Sequence, residues 1–211
     1  MPLDPHRQIP DGPVRGRLIY VAGPSGAGKD TLLQYARERI PAHAPVAFAH
    51  RYITRRTRSE QDNHVPLTPS EFVLRSRAGL FAMQWHANGY SYGIGLEINR
   101  WLSRGFQVIV NGSRGYVPEA RRIYPDLRLV WVGASIGVLI ERLSQRARET
   151  TAEIARRVER AIELEMPSHL PDLRLQNDNA PNEAGDQLLA FIVGQSPANF
   201  DAPAAVEMEA G

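Results

Sequence analysis

The chain has 211 residues, 43% of them hydrophobic, a formal net charge of +2 and no cysteine. That suits one domain with an ordinary core and excludes disulfides and thiolate metal sites. Its apolar runs, such as 129–134, fall far short of the ~20 residues of a membrane span, and the proline-rich, charged N-terminus does not read as a secretory signal.

Residues 1–16, with prolines at 2, 5, 10 and 13, read as a disordered leader, and 196–211 as a disordered tail. The folded domain is expected over 17–195, where strand, loop and helix alternate. The apolar, β-branched run 18–22 predicts a strand ending in a glycine-rich loop, with a helix over about 29–39. Residues 46–49 predict a strand leading into an arginine-rich segment, 51–58. Thr68-Pro69-Ser70-Glu71 predicts a helix start with a capping box and Pro at the first position, and that helix should stop near Gly79. Asn88-Gly89 predicts a turn. A helix over about 96–104 should end at Gly105, a left-handed cap.

The runs 108–110 and 127–132 lack polar alternation and predict buried strands, the second followed by a helix over about 136–145. Thr150-Thr151-Ala152-Glu153 predicts another capping box, opening a helix that lasts to about 165. Residues 173–176 and 187–193 supply a last strand and helix. Alternating units of this kind imply an α/β fold with a parallel sheet covered on both faces.

Of the 25 basic residues, 24 are arginine and one, Lys29, is lysine. A compositional drift towards arginine explains the majority and leaves the exception. A position that keeps lysine against that drift needs a compact ammonium that a planar guanidinium does not replace. Lys29 closes Gly23-Pro24-Ser25-Gly26-Ala27-Gly28-Lys29, a G-x-x-x-x-G-K loop between the first strand and first helix. There, consecutive backbone N–H groups can curl around a phosphate at a helix N-terminus. Lys29 would then reach the β- and γ-phosphates of ATP. From glycine and lysine content, a chance match is roughly a one-in-a-hundred event.

The pattern departs at the next position. Ser or Thr, whose hydroxyl would bind Mg²⁺, is replaced by Asp30, with Thr31 one place later. A carboxylate beside a triphosphate is repulsive unless a cation lies between them, and Mg²⁺ is commonly held by one or two carboxylates with phosphate oxygens and water. The strand 108–110 closes on Asn111 and offers no acidic residue. Asp30 is therefore expected to bind Mg²⁺, directly or through water. The alternative is a carboxylate that merely favours the helix N-terminus.

The loop with Asp30-Thr31-Leu32, Ile53-Thr54-Arg55, Tyr92-Gly93 and the set Arg142-Leu143, Arg146, Arg156-Arg157 together resemble the guanylate kinase family over about 17–193. The resemblance implies a guanylate kinase-like P-loop NTPase fold: a parallel-sheet core, an acceptor subdomain over about 50–95 and a helical lid over about 142–160. Within that family, the Gly-Lys-Asp loop, His50-Arg51-Tyr52-Ile53-Thr54-Arg55, Trp85-His86-Ala87-Asn88-Gly89 and Val110-Asn111-Gly112-Ser113-Arg114 resemble a branch of phosphonate breakdown whose members act on ribose 1,5-bisphosphate. That branch implies transfer of the ATP γ-phosphoryl group, with Mg²⁺, to the 1-phosphate, giving 5-phosphoribosyl 1-diphosphate and ADP.

The departures from guanylate kinases carry a physical meaning. Met83 falls where they use a Glu to hold the guanine edge, and Ser113 where they commonly have an Asp. Losing both carboxylates removes a discrimination worth orders of magnitude. Arg51 replaces a Ser near the acceptor phosphate, and His64 falls near a Tyr that also contacts it. A small phosphosugar is therefore expected as acceptor, the alternative being a guanylate kinase acting on GMP.

By resemblance, Arg55 and Arg58 take the acceptor phosphate through their planar forks, with Arg51, His64, Tyr92 and Ser113 beside them. Arg146 and Arg157 act with Lys29 in catalysis, closing from the lid over a transferring phosphoryl group, where such an arginine can be worth ~10³–10⁵ in rate; the alternative is pairing along an exposed helix with Glu149, Glu153 and Glu159. Residues Gly23 to Thr31, Arg142 and Asn177 are assigned to ATP; a helix cap is the alternative for Asn177. Trp85 and His86 stay open between packing and binding. The arginines are spread along the chain and net charge is small, so nucleic acid is not expected as a partner; nor, with such short apolar runs, is a membrane. A cytoplasmic location is expected, and the oligomeric state, a homodimer included, is left open.

Overall fold

The computed structural model describes residues 16–55, 63–145 and 171–194. In chain order the elements are β1 (Leu18–Ala22), α1 (Lys29–Arg39), β2 (Val46–Phe48), β3 (Arg51–Ile53), β4 (His64–Pro66), α2 (Pro69–Arg77), β5 (Phe81–Ala87), β6 (Tyr90–Gly95), α3 (Glu97–Ser103) and β7 (Gln107–Asn111). A 3₁₀ turn (Arg114–Tyr116), α4 (Val117–Ile123), β8 (Arg128–Gly133), α5 (Ile136–Gln145), β9 (Leu173–Gln176) and α6 (Pro181–Val193) complete them. The expected leader, tail, second capping box and most of the lid lie outside the described residues, as do Arg58, Arg146 and Arg157.

Five parallel strands form the core sheet in the order β2-β7-β1-β8-β9. Every residue of β1 is buried. The pleat sends alternate side chains to opposite faces. Leu18, Tyr20 and Ala22 join Val108, Val110, Leu129 and Trp131 in one apolar cluster, while Ile19 and Val21 join Ile109, Val130, Val132 and Leu175 in the other. A continuous apolar run is what a strand covered on both faces requires. On the second face, α1 and α6 are tied by the Tyr35 hydroxyl, which donates to Asp186 Oδ1 at 2.5 Å.

The expected start of α2 is present in half. Thr68 Oγ1 accepts from the Glu71 N–H at 3.1 Å and Pro69 takes the first turn. The Glu71 carboxylate accepts from Arg75 Nη2 at 2.6 Å instead of returning to the cap. Gly105 has φ of +83°, as a left-handed cap requires. The last helix corrects the reading of 187–193: it begins at Pro181. Its first turns carry the polar Asn182, Glu183 and Asp186, which hid the start, while Ala184 and Gly185 are buried.

A second, four-stranded sheet runs β4-β3-β6-β5. Strand β3 is parallel to β4 and antiparallel to β6, and β6 is antiparallel to β5. Only its turn was legible beforehand. Asn88 and Gly89 have φ of +50° and +76°, the two positive values a tight hairpin turn demands. Met83 and Ile94 reach from this sheet into the first apolar cluster of the core. Among the described residues no helix is long and apolar enough to cross a membrane.

Candidate active site

The loop from β1 to α1 has the form the sequence predicts. The single lysine folds back over it, its Nζ donating to the carbonyl oxygens of Gly23 and Pro24, both at 2.9 Å. Gly28 caps α1 in the left-handed region, with φ of +82°. A Cβ at this position would sit 2.3 Å from Asn177 Nδ2, so the residue must be glycine on two counts.

Asn177 follows β9 and is 3% exposed. Its Nδ2 donates to the Ala27 carbonyl at 2.8 Å, and Arg142 Nη1, on α5, donates to the Asn177 carbonyl at 2.8 Å. Two residues assigned to ATP thus brace the loop from outside. Asn177 does not cap α6, whose N-cap is Ala180. Asp178 turns away from that helix as well. It accepts from Gln176 Nε2 at 2.8 Å and from the Ser135 N–H at 2.5 Å. These two donors, Gln176 first, hold its carboxyl below the ordinary aspartate value.

Beside the loop, Asp30 and Asn111 meet. Asn111 ends β7, in register with Val21 of β1, and so stands next to the strand that launches the loop. Its Nδ2 donates to Asp30 Oδ1 at 2.6 Å, and the same oxygen accepts from Arg51 Nη2 at 3.0 Å. Asp30, Arg37, Arg51, Asn63 and Asn111 line one small cleft. Burial there pulls the Arg37 guanidinium below its usual pKa, and the group lies 4.8 Å from the centroid of the Phe48 ring. Among the described residues no group of three or more His, Cys, Asp or Glu is gathered to hold a metal. Asp30 fits a divalent cation whose remaining ligands come from phosphate oxygens and water.

Of the residues the sequence assigns to an acceptor, Arg51, His64 and Tyr92 lie on the second sheet, Arg55 follows β3 and Ser113 follows β7 of the core sheet. Arg51 opens β3 and is paired in register with His64 of β4, itself 6% exposed. Arg55 follows β3, half-buried, and its Nε is buried without a hydrogen-bond partner among the described residues. Tyr92 is 9% exposed, stacked on Trp85. Ser113 gives its carbonyl to the Tyr20 hydroxyl at 3.0 Å, and burial drives the Tyr20 pKa upward. Met83, at 1% exposure, is enclosed by the core cluster with Trp85, Trp101 and Tyr116 packed against it. The structure thus pairs Asp30 with Arg51, keeps Lys29 folded on its own loop, and sets Arg142 and Asn177 against that loop.

Sequence reading missed Asn111, Arg37 and Asn63 as members of the cleft. For Asn111 a signal existed, since it ends the strand beside the one that carries the phosphate loop. Arg37 and Asn63 gave none.

Relatives of the chain are close. It is 49% identical over 177 residues, covering 84% of this chain and 93% of the relative, to the "Ribose 1,5-bisphosphate phosphokinase PhnN" of Thiobacillus denitrificans. It is 40% identical over 193 residues, 91% of this chain and 97% of the relative, to the protein of the same name from Psychromonas ingrahamii. The chain belongs to the ribose 1,5-bisphosphate phosphokinase family. No family model matches it. Among solved structures, guanylate kinase from Anaplasma phagocytophilum superposes with a TM-score of 0.62 over 84% of this chain and 85% of that one, at 14% identity. That likeness establishes the fold, a guanylate kinase-like P-loop fold, as the sequence resemblance implies. Membership of the PhnN family makes the chain a kinase.

Proposed function

We propose that the chain transfers the γ-phosphoryl group of ATP to the 1-phosphate of ribose 1,5-bisphosphate, giving 5-phosphoribosyl 1-diphosphate and ADP, in the cytoplasm and as part of phosphonate breakdown. The observation that carries this reading is the shared name and high identity of its relatives over nearly all of the folded region. The burial of Met83 in an apolar cluster supports it, because an enclosed thioether offers nothing to the donors of a guanine edge.

The nucleophile is a phosphate oxygen, already anionic at neutral pH, so no general base is needed and none is assigned. Lys29 trades its bonds to the loop carbonyls for the β- and γ-phosphates, and the loop N–H groups hold the donor in line. A divalent cation at Asp30, Mg²⁺ in this reading, supplies neutralisation of phosphate charge when bound. Arg142 and Asn177 keep the loop in shape for ATP. Arg51, Arg55, Arg58, His64, Tyr92 and Ser113 place the acceptor, and Arg146 and Arg157 stabilise charge on the transferring group. The test is ADP release with ribose 1,5-bisphosphate against GMP, with product identified by mass. A higher rate with GMP would overturn the reading.

A further inference from the structure

We propose that Asn111 is a positioning residue: it holds the Asp30 carboxylate where the phosphate loop and Arg51 share it, so that the two substrates bind cooperatively. The inference rests on the reading above, in which Arg51 receives an acceptor phosphate. It deepens that reading by giving a role to a residue outside the motifs.

The observation is a single carboxylate oxygen with two donors from two different parts of the fold. Asn111 Nδ2 reaches Asp30 Oδ1 from the core sheet at 2.6 Å, and Arg51 Nη2 reaches it from the acceptor sheet at 3.0 Å. The side chain of Asp30 is 71% exposed, while that of Arg51 is 18% exposed. Asp30 follows Lys29 in the first turn of α1, so one end of the ion pair stands at the helix end next to the donor loop and the other on the acceptor sheet. Asn111 is the rigid member, 6% exposed and set by pairing to β1.

Charge then dictates the coupling. With the donor site empty, an acceptor phosphate must compete with Asp30 for Arg51. A cation brought to Asp30 with the nucleotide competes with Arg51 for the carboxylate and releases the guanidinium to the acceptor. The linkage is reciprocal. The amide of Asn111 keeps Asp30 from following Arg51 towards the acceptor, which would carry a negative charge to an incoming anion. Its own Oδ1 is buried without a hydrogen-bond partner among the described residues. A buried acceptor in that condition calls for an explanation, and a donor brought by the ligands at this cleft supplies one.

The test is calorimetric titration of the full chain with ribose 1,5-bisphosphate, alone and with saturating Mg²⁺ and a non-hydrolysable ATP analogue. In the unaltered chain, the acceptor Kd should fall by about tenfold when the analogue is present, within the usual range of coupling between sites. Asp30→Asn should bind the acceptor more tightly than the unaltered chain when the nucleotide is absent, and its two Kd values should agree within about twofold. Asn111→Ala should also bring the ratio of Kd values close to one. A change in fold stability alone would not move that ratio, and Asp30→Asn, at an exposed position, keeps the test valid if Asn111→Ala folds poorly. The proposal is overturned by an uncoupled unaltered chain, by Asp30→Asn binding the acceptor no tighter, or by Asn111→Ala keeping the full ratio. Acceptor binding without coupling removes this inference alone, whereas no acceptor binding in either condition removes the function reading with it.

Discussion

Trp85 lies flat against Tyr92 across the β5–β6 hairpin, ring centroids 5.5 Å apart and planes within 3° of parallel. Tyr116 meets the same indole, also at 5.5 Å. The tyrosine proposed for the acceptor site is thus oriented by a neighbour that packs on the core cluster, and Trp85, open between packing and binding in the sequence, is observed packing. Trp85→Ala should cost about 2–3 kcal/mol in denaturant unfolding and raise the acceptor KM several-fold. Trp85→Phe should keep most of both. An unchanged unfolding midpoint in Trp85→Ala would contradict the role.

Gly28→Ala combines a positive φ with a Cβ 2.3 Å from Asn177 Nδ2. The Asn177 amide cannot swing aside freely because it is buried and bonded to Ala27. Backbone strain of this kind costs on the order of 1–3 kcal/mol. The expected result is a lower melting temperature and a loss of ATP-analogue affinity, read by thermal unfolding with and without analogue. The double variant Gly28→Ala/Asn177→Ala should recover part of the stability by removing the clash.

Lys29→Met should leave the fold intact, since Nζ is held by loop carbonyls that water can also satisfy. Turnover should fall by about 10³, on the order of 4 kcal/mol of transition-state stabilisation. Lys29→Arg should not restore it, because a planar fork does not fit a site shaped for an ammonium. Steady-state rates against melting temperature check both; a fall below tenfold would contradict the assignment.

Asp178 gives a pH signature in stability. Gln176 and Ser135 hold its folded carboxyl below the ordinary aspartate value, so as pH falls the unfolded chain takes up this proton before the folded chain does. The stabilisation is complete above the ordinary aspartate value and disappears as pH falls through the folded one. Asp178→Asn should therefore be less stable than the unaltered chain near neutrality, with the gap closing in acid. Denaturant midpoints at about pH 6 and pH 3 measure it.

The centre of the core sheet was legible because β7, β1 and β8 carry short apolar runs, and a buried parallel strand needs no partner-specific signal; β9, at the edge, alternates Leu173 and Leu175 with Arg174 and Gln176. The phosphate loop was legible because its chemistry is local. The second sheet was not. Arg51-Tyr52-Ile53 and His64-Val65-Pro66 are three residues each and mix charge with apolar groups; they are strands because they pair with each other and with a distant hairpin. In that hairpin, the register shift between Phe81 and Met83 blurs the alternation that would have marked β5. The same limit applies to the cleft. Asp30 and Arg51 were each singled out for their chemistry, but their ion pair and the Asn111 bond span 21 and 81 positions of sequence, and no local pattern encodes them.

The solitary lysine also gives the chain a built-in reporter. A protease that cleaves after lysine has a single peptide bond to attack in this sequence, Lys29–Asp30, within the opening turn of α1. Nicking at that bond measures how often the first turn unravels. A phosphate seated on the loop should slow the nicking in proportion to its occupancy, giving a readout of donor binding that requires neither acceptor nor turnover.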